Sequence, residues 1–285
     1  MGKSVDAKIE AAAENAFRPD GSAYQRLLSK DAAAVAACAG TELCRVERRA
    51  LDLGIWPERY ARNSRTLSAQ DQAVLLDATV AVVGLGGLGG IAADTLARLG
   101  IGALILIDGD VFDESNLNRQ LLATAGEMGT PKVTAAARRI KGVNGAVSVR
   151  PHQTFLTTEN AETLLRGADS VLDCLDTIPA RLVLENAARR LAIPVVSGAV
   201  AGLSGQVTVT YPGDAGLAAL YGDGDSVPER GVETALGNLA PPVNIIASLQ
   251  CTEALKVLLG RPGQLRSRLL FMDLSDNSFE VIETG

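Results

Sequence analysis

The pattern of apolar and polar positions predicts a strand, a helix and a second strand in succession between residues 79 and 108. Thr79 to Val83 is typical of a buried strand, Ile91 to Leu99 of a helix, and Ala103 to Ile107 of a second apolar strand that ends at Asp108. A glycine turn, GLGGLG, lies between the first strand and the helix, with glycines at 84, 86, 87 and 89. A βαβ unit with such continuously apolar strands favours a parallel sheet covered by helices.

Further apolar runs extend this pattern towards the C-terminus. They predict helices at 131–140, 160–165, 179–191 and 243–259, and strands at 148–150, 170–173, 194–199, 205–211, 269–274 and 279–282. The segment 212–237 is rich in glycine and aspartate, and a loop of this length in a compact domain tends to be functional or mobile. We therefore expect an α/β fold with a Rossmann-like, mostly parallel sheet, helices on both faces and mixed C-terminal strands.

The first 55 residues differ from the rest because they are rich in alanine and show helical spacing. Their apolar residues recur at helical intervals in two stretches, which Gly21 and Gly40 interrupt. We therefore expect two units, a small helical N-terminal appendage over residues 1–55 and a main domain over residues 56–285.

Composition and charge exclude several classes of function. The 285 residues include 27 basic and 33 acidic side chains, and the net charge of −6 gives no general attraction for nucleic acid or an anionic membrane. The sequence has no apolar leader and no run of about 18 apolar residues, so we expect a soluble, cytoplasmic protein. Its one histidine, His152, is the only residue that could supply histidine-based acid–base catalysis.

The cysteine pattern argues against a zinc site. The four cysteines, at 38, 44, 174 and 251, form no C-x-x-C pair. No structural zinc of the usual spacing is therefore expected, and reduced thiols are the simplest interpretation.

The glycine turn and Asp108 together predict a nucleotide site. Glycine permits a tight strand-to-helix turn and lets backbone N–H groups approach a phosphate, which the positive end of the helix dipole attracts. Asp108 follows Gly89 by nineteen residues, at the end of a strand, where a carboxylate can accept hydrogen bonds from ribose hydroxyls. By itself the motif also fits NAD or FAD, and glycine turns of this form occur for packing reasons alone.

The polar loop after Asp108 differs from the helix that a dehydrogenase would have there. It offers a hydroxyl, two amides and a guanidinium, from Ser115, Asn116, Asn118 and Arg119. These groups can converge on phosphate oxygens, with the arginine as a bidentate donor.

Lys132 gives a second indication of a bound anion. It follows Pro131, which suits the first position of a helix, so the lysine lies in a first turn where the helix dipole disfavours a cation. A neighbouring anion such as a triphosphate would offset this cost. The alternative is a lysine that points into water.

The predicted strand at 170–173 runs out into two carboxylates, Asp173 and Asp176. Ligands of open α/β sheets collect at the carboxyl ends of strands, and Asp176 can hold Mg²⁺ there with help from phosphates, because this ion takes few protein carboxylates. Asp173 is the weaker candidate. Alternatively, either carboxylate could cap the helix at 179–191.

Several motifs, met in order along the chain, carry a resemblance to a known family. They are VAVVGLGGLGG, LILIDGDVFDESNLNRQ, GTPKV, VLDCLDT, PVVSGAV, GQVTV and SLQCTEALKVL. From residue 56 to residue 283 the chain resembles the ThiF/MoeB/HesA adenylyltransferases, bacterial relatives of ubiquitin-activating enzymes. The resemblance implies a homodimer that binds ATP and Mg²⁺ and transfers AMP to the C-terminal glycine carboxylate of a ubiquitin-like sulfur carrier protein ending in Gly-Gly, with release of pyrophosphate. The pathway would be thiamine or molybdopterin biosynthesis, or a related one.

The resemblance also implies roles for single residues. Adenosine would be held by Asp108 and by the turn that contains Gly84, Gly86, Gly87 and Gly89. Phosphate contacts would come from Ser115, Asn116, Leu117, Asn118, Arg119 and Lys132. Asp176 would bind the metal ion, and Arg62 looks like the arginine that such enzymes insert into the partner subunit's site, although Arg59, Arg62 and Arg65 could equally be surface arginines. The expected catalytic residues are thus Arg62, Arg119, Lys132 and Asp176. The three cationic side chains, together with the Mg²⁺ that Asp176 would bind, can stabilise charge at the α-phosphorus.

The chain also departs from the family pattern. Many relatives carry two zinc-binding C-x-x-C pairs, and thiol-using relatives carry a cysteine in the segment that here reads GVETALG at 231–237. Because Cys174 and Cys251 fit core positions better, we expect adenylation without a cysteine intermediate. Two alternatives stay open: activation of a tRNA-borne or small-molecule carboxylate or carbonyl, and a non-catalytic nucleotide-binding protein that docks a carrier.

Overall fold

In the computed structural model, residues 4–222, 231 and 233–284 are described, and they form eleven strands and eleven α-helices. The strands are β1 Glu14–Phe17, β2 Ala23–Leu27, β3 Ile55–Pro57, β4 Thr79–Val83, β5 Ala103–Ile107, β6 Ser148–His152, β7 Ser170–Asp173, β8 Val195–Ala201, β9 Ser204–Thr210, β10 Arg268–Asp273 and β11 Ser278–Glu283. The helices are α1 Val5–Ala12, α2 Ser29–Ala39, α3 Leu43–Asp52, α4 Ala69–Asp77, α5 Gly87–Leu99, α6 Lys132–Val143, α7 Ala161–Leu165, α8 Ile178–Arg190, α9 Ala218–Tyr221, α10 Glu233–Leu236 and α11 Ala240–Leu258.

The main sheet has eight strands in the order β11-β10-β9-β8-β7-β4-β5-β6. Strands β8, β7, β4, β5 and β6 are parallel, whereas β9, β10 and β11 continue the sheet in antiparallel fashion. The predicted α/β fold with mixed C-terminal strands is confirmed.

Helices cover both faces of the central parallel strands β4 and β5, which explains why these two strands are almost entirely apolar. Val80 and Val82 of β4 belong to a hydrophobic cluster that includes residues of α5, α6 and α11. Ala81 and Val83 of the same strand belong to a second cluster with residues of α7 and α8. Since alternate side chains of a strand point to opposite faces, both faces of the sheet are buried.

The glycine turn brings the start of α5 against the end of β4. A Cβ on Gly89 would lie 1.8 Å from the carbonyl oxygen of Gly84, and Gly84 itself has a φ of +84°. The close approach lets the helix begin at Gly87, four residues before the predicted start at Ile91. Glycine at 84 and 89 is therefore required for packing, whatever the turn binds.

The prediction that the N-terminal appendage is helical is incomplete. Helices α1 to α3 are present, but β1 and β2 form an antiparallel hairpin, and β3 adds to it as a parallel strand. The hairpin turn includes Gly21 at φ +81°, and β2 alternates in exposure along its length, a two-residue period that the alanine-rich composition conceals. The division of the chain near residue 55 stays a prediction.

Three smaller predictions can be compared with the structure. Pro131 is the N-cap of α6 and lies just before its first helical residue, Lys132. The segment 212–237 contains the short helices α9 and α10, while residues 223–230 and 232 lie outside the described part of the chain. No helix among the described residues is long and apolar enough to cross a bilayer.

Candidate active site

A cavity of about 710 Å³ opens at the carboxyl ends of strands β4 to β8. Most of the residues predicted for the site line it, and these are Gly84, Gly86, Gly87, Asp108, Ser115, Asn116, Arg119, Lys132 and Asp176. The structure does not place four others in its wall, namely Arg62, Gly89, Leu117 and Asn118. Residues that are far apart in sequence thus meet where α/β sheets bind ligands.

The N-terminus of α5 forms one wall of the cavity. Gly86 is the N-cap and has no side chain to satisfy the first backbone N–H groups of the helix, so these donors can serve a bound anion. A Cβ on Gly87 would lie 2.9 Å from Cγ1 of Val243 on α11, which leaves little room for any larger residue. This wall therefore combines close packing with the positive end of the α5 helix dipole.

Asp108 lies beside the glycine turn and is nine-tenths buried. Its Oδ2 accepts a hydrogen bond from the Leu85 N–H at 2.6 Å, and its Oδ1 accepts one from the Asp110 N–H at 2.7 Å. Burial raises the pKa of this carboxyl, although both backbone hydrogen bonds oppose the shift. Each oxygen keeps a second lone pair, so the held carboxylate can still accept hydroxyl hydrogen bonds from a ligand.

Lys132 does not point into water. Only 8% of its side chain is exposed, and its Nζ lies 3.0 Å from Oδ2 of Asp110. Its backbone N–H also donates to the Asp110 carbonyl at 3.0 Å, so two bonds join the start of α6 to the loop after β5. Within this chain, Asp110 is therefore the anion that neighbours Lys132. The ammonium group keeps further N–H donors that a ligand could use.

The polar loop after β5 is held by its own side chains. The Asp113 carboxylate accepts from the N–H and the hydroxyl of Ser115, and the Asn116 amide oxygen accepts from the Asp113 N–H at 3.3 Å. Arg119 donates to the Ser115 carbonyl at 3.1 Å and to the Asn118 side chain at 2.8 Å. Asn118 in turn donates to the Asn238 carbonyl at 3.1 Å, so it braces the loop.

Asp176 and Asp173 have different surroundings. Asp173 is fully buried, where it accepts from the Ser197 hydroxyl at 2.5 Å and from the Leu175 N–H at 3.1 Å. Asp176 is exposed at the cavity and has no hydrogen bond or ion pair with any described residue. Because α8 has Thr177 as its N-cap and no side-chain cap, neither aspartate caps this helix. Asp176 alone is free to bind a ligand.

Phe155 and Arg181 are among the side chains of the cavity wall that the sequence analysis missed. Phe155 is 64% exposed, although it is aromatic, and a Cβ on Gly109 would lie 2.7 Å from its ring. Arg181, near the start of α8, is almost fully buried. Phe155 lies just beyond the carboxyl end of β6, and Arg181 lies in the first turn of the helix that follows β7; these positions are the signal by which they could have been found.

Arg62 lies away from the cavity. It is exposed on the 3₁₀ segment Glu58–Arg65, and it has no hydrogen bond or ion pair within the described residues. Its neighbour Tyr60 accepts from the side chain of Asn144, the C-cap of α6. The C-terminus of α6 leads into β6, so Arg62 lies near the amino edge of the sheet and cannot join the cavity of its own chain.

The cysteines near the cavity are poorly suited to act as nucleophiles. Cys174 lines the cavity wall, but burial raises the pKa of its thiol well above the ordinary value. Burial also raises the pKa of Cys251 to about 12. Since the thiolate is the reactive form, neither side chain is activated in this structure.

Comparison with known proteins identifies relatives over most of the chain. A family model described as the ThiF family matches residues 60–285. The chain is 36% identical to the SAMP-activating enzyme E1 of Haloferax volcanii over 230 residues, which covers 79% of this chain and 84% of the relative.

Two proteins of Escherichia coli K12 are similar to the same extent. The sulfur carrier protein ThiS adenylyltransferase is 35% identical over 216 residues, covering 73% of this chain and 86% of the relative. The molybdopterin-synthase adenylyltransferase is 35% identical over 233 residues, covering 79% and 91%.

Among solved structures, the chain is similar to an ATP complex of E. coli tRNA N6-threonylcarbamoyladenosine dehydratase, TcdA. The TM-score is 0.62 at 26% identity, over 72% of this chain and 95% of that one. Most of this chain therefore shares its fold with an enzyme solved with ATP bound.

Proposed function

Because this chain belongs to the ThiF family and is an adenylyltransferase, we propose that it transfers AMP from ATP to the C-terminal glycine carboxylate of a ubiquitin-like sulfur carrier protein. One observation carries the proposal: Lys132, Arg119 and Asp176 line one cavity with the N-terminus of α5. Carrier proteins are the substrate class because relatives named for a sulfur carrier or for molybdopterin synthase match most of this chain.

The residues around the cavity divide the work of binding ATP. Asp108 and the glycine turn would hold the adenosine end, because the carboxylate is fixed by two backbone N–H groups and keeps free lone pairs. The phosphates would lie against the first N–H groups of α5, with Lys132 and Arg119 as cations in the cavity wall. A triphosphate in this place meets positive charge from three separate parts of the chain.

The reaction requires charge stabilisation more than proton transfer. A carboxylate oxygen of the carrier attacks the α-phosphorus, the bond to the bridging oxygen of the β-phosphate breaks, and pyrophosphate leaves with that electron pair. Negative charge builds on the α-phosphate oxygens, where Lys132 and Arg119 would stabilise it. The attacking carboxylate is ionised at neutral pH, so no histidine base is needed.

Asp176 fits the role of a magnesium ligand. It is a free, exposed carboxylate at the cavity, and Mg²⁺ commonly binds one or two carboxylates together with substrate phosphates and water. When bound there, the ion would neutralise charge on the phosphates. Asp173 does not fit, because its carboxylate is buried and already hydrogen-bonded.

Arg62 would complete the site of a second subunit in a homodimer. It is exposed and lies outside the cavity of its own chain, so it can act only in a partner. Mixing inactive Arg62→Ala with inactive Lys132→Ala protein should restore about a quarter of the wild-type rate, because random pairing gives mixed dimers with one complete site. Arg65→Ala, on the same segment, is the control. No recovery on mixing would exclude a shared site.

Exchange of labelled pyrophosphate into ATP tests the proposed reaction. We expect exchange that depends on a carrier ending in Gly-Gly, and that is lost when the last glycine is removed. Carriers of the thiamine and molybdopterin pathways are compared in parallel, and a tRNA arm tests the activity named for the relative TcdA. Exchange with tRNA and with no carrier would contradict the proposal, as would exchange that survives Asp176→Ala.

A further inference from the structure

Arg181 is a buried cation that serves no role in the reaction described above. It lies in the first turns of α8, with 7% of its side chain exposed. Its guanidinium donates to the carbonyl of Leu175 and to the carbonyl of Gly198 on β8 at 3.0 Å. It also lies 3.6 Å from the Asp173 carboxylate. Since a buried ion pair adds little stability relative to apolar packing, its bonding pattern calls for an explanation.

The bonds of Arg181 fix the residue directly before Asp176. The Leu175 carbonyl accepts from Arg181, and the Leu175 N–H donates to Asp173. Both backbone polar groups of Leu175 are therefore held by the Arg181–Asp173 pair. The position of the next residue, Asp176, follows from this arrangement, because its own side chain has no partner among the described residues.

The same turn lies directly against the glycine turn. A Cβ on Gly84 would lie 2.6 Å from the carbonyl oxygen of Cys174, which precedes Leu175. Arg181 thus ties the turn between β7 and α8 to β8, while Gly84, directly after β4, packs against the same turn.

We propose that Arg181 is a positioning residue, which fixes Asp176 relative to the glycine turn through the Leu175 and Gly198 carbonyls. This inference rests on the proposed role of Asp176 in holding the metal ion of a metal–ATP complex. It requires arginine in particular, because a planar fork reaches two carbonyls and a carboxylate at once, whereas a lysine ammonium cannot match that geometry. A purely structural role would need only the positive charge beside Asp173.

The test compares Arg181→Lys with Arg190→Lys, an exposed arginine on the same helix. Binding of Mn²⁺ in the presence of ATP is measured by electron paramagnetic resonance, together with ATP binding in metal-free buffer and the melting temperature. We expect Arg181→Lys to weaken Mn²⁺ binding about tenfold or more, as is typical for residues that orient metal ligands. ATP binding without metal should change little, and Arg190→Lys should match the wild type.

A second variant guards against misfolding. Asp173→Asn combined with Arg181→Met removes both buried charges, and we expect the same loss of Mn²⁺ binding in a folded protein. If Arg181→Lys binds Mn²⁺ like the wild type, or if metal-free ATP binding falls equally, the positioning role is overturned. If wild-type protein with ATP binds Mn²⁺ no better than Asp176→Asn does, the metal assignment of the proposed function fails first, and the inference fails with it.

Discussion

Polar and charged side chains gather at both edges of the parallel sheet, but with different results. At the amino edge Asn144 donates to the Tyr60 hydroxyl at 2.8 Å and to the Ala97 carbonyl at 2.9 Å, and its oxygen accepts from the Ala146 N–H at 3.1 Å. Close by, fully buried Glu47 meets the Arg59 guanidinium at 3.1 Å. The Asn144 side chain is thus fully hydrogen-bonded, whereas Glu47 and Arg59 form an ion pair in which both Glu47 oxygens and the Arg59 Nε have no hydrogen-bond partner among the described residues.

At the carboxyl edge, side chains of the same kinds surround an open cavity. Asp176 is without a partner among the described residues, and the Gln120 amide oxygen is buried without one. The Lys132 ammonium group donates one hydrogen bond to Asp110 and keeps further N–H donors. The comparison teaches that convergence of polar residues does not by itself define a site. Buried polar atoms without a hydrogen-bond partner occur at both edges, so what marks the site is that such groups surround a cavity that a ligand can fill.

The largest expected effect is at the carboxyl edge. Lys132→Ala should lower the rate of ATP–pyrophosphate exchange by about 10²- to 10³-fold, because it removes a nearly buried cation from developing phosphate charge. The melting temperature should change little. Lys141→Ala, at the exposed end of the same helix, is the control and should exchange at the wild-type rate. Normal exchange by Lys132→Ala would mean that the two edges do not differ as described.

An intermediate effect is expected at the amino edge. Asn144→Ala should lower the free energy of unfolding by about 2 kcal/mol, because it leaves buried groups of Tyr60, Ala97 and Ala146 unpaired. The kcat of exchange per folded molecule should stay near the wild-type value. Denaturant unfolding and the exchange assay, run on the same sample, separate the two quantities. A large loss of kcat without a loss of stability would make this edge part of the catalytic machinery.

The smallest effect concerns pH. Burial raises the pKa of Asp108, so in the free enzyme its carboxylate gains a proton at a higher pH than an ordinary aspartate does. A protonated carboxyl accepts ribose hydroxyl bonds less well, so kcat/KM for ATP should fall as the pH drops through that raised pKa. The profile is measured from neutral to acidic pH for wild type and Asp108→Asn. An acidic limb that is unchanged in the variant would belong to ATP or to another group.

The elements that the sequence predicts best are those that follow from local patterning. Strands β4 and β5 lie at their predicted residues, because continuous apolar runs mark strands buried on both faces. The hairpin of β1 and β2 was missed, because alanine-rich segments are compatible with helices and hairpin pairing depends on contacts that composition does not show. The sequence predicts a bound anion such as a triphosphate beside Lys132, and that stays a prediction. The contact with Asp110 could not be predicted, because it required knowing which loop packs on α6. Arg181 and Phe155 escaped notice for the same reason, since only the folded topology brings them to the cavity.

The short strand β3 has a consequence for where this protein can be divided. Its register against β2 pairs Ile55 with Gln25 and Pro57 with Leu27, and the segment that carries Arg62 begins at the very next residue. The family match starts at residue 60, beyond this strand. A shortened protein that began at residue 60 would lack β3, which anchors the segment that carries Arg62. It would still contain every residue that lines the cavity. The first 57 residues lie outside the family match, yet they anchor the segment that carries Arg62, the one predicted catalytic arginine that the cavity lacks.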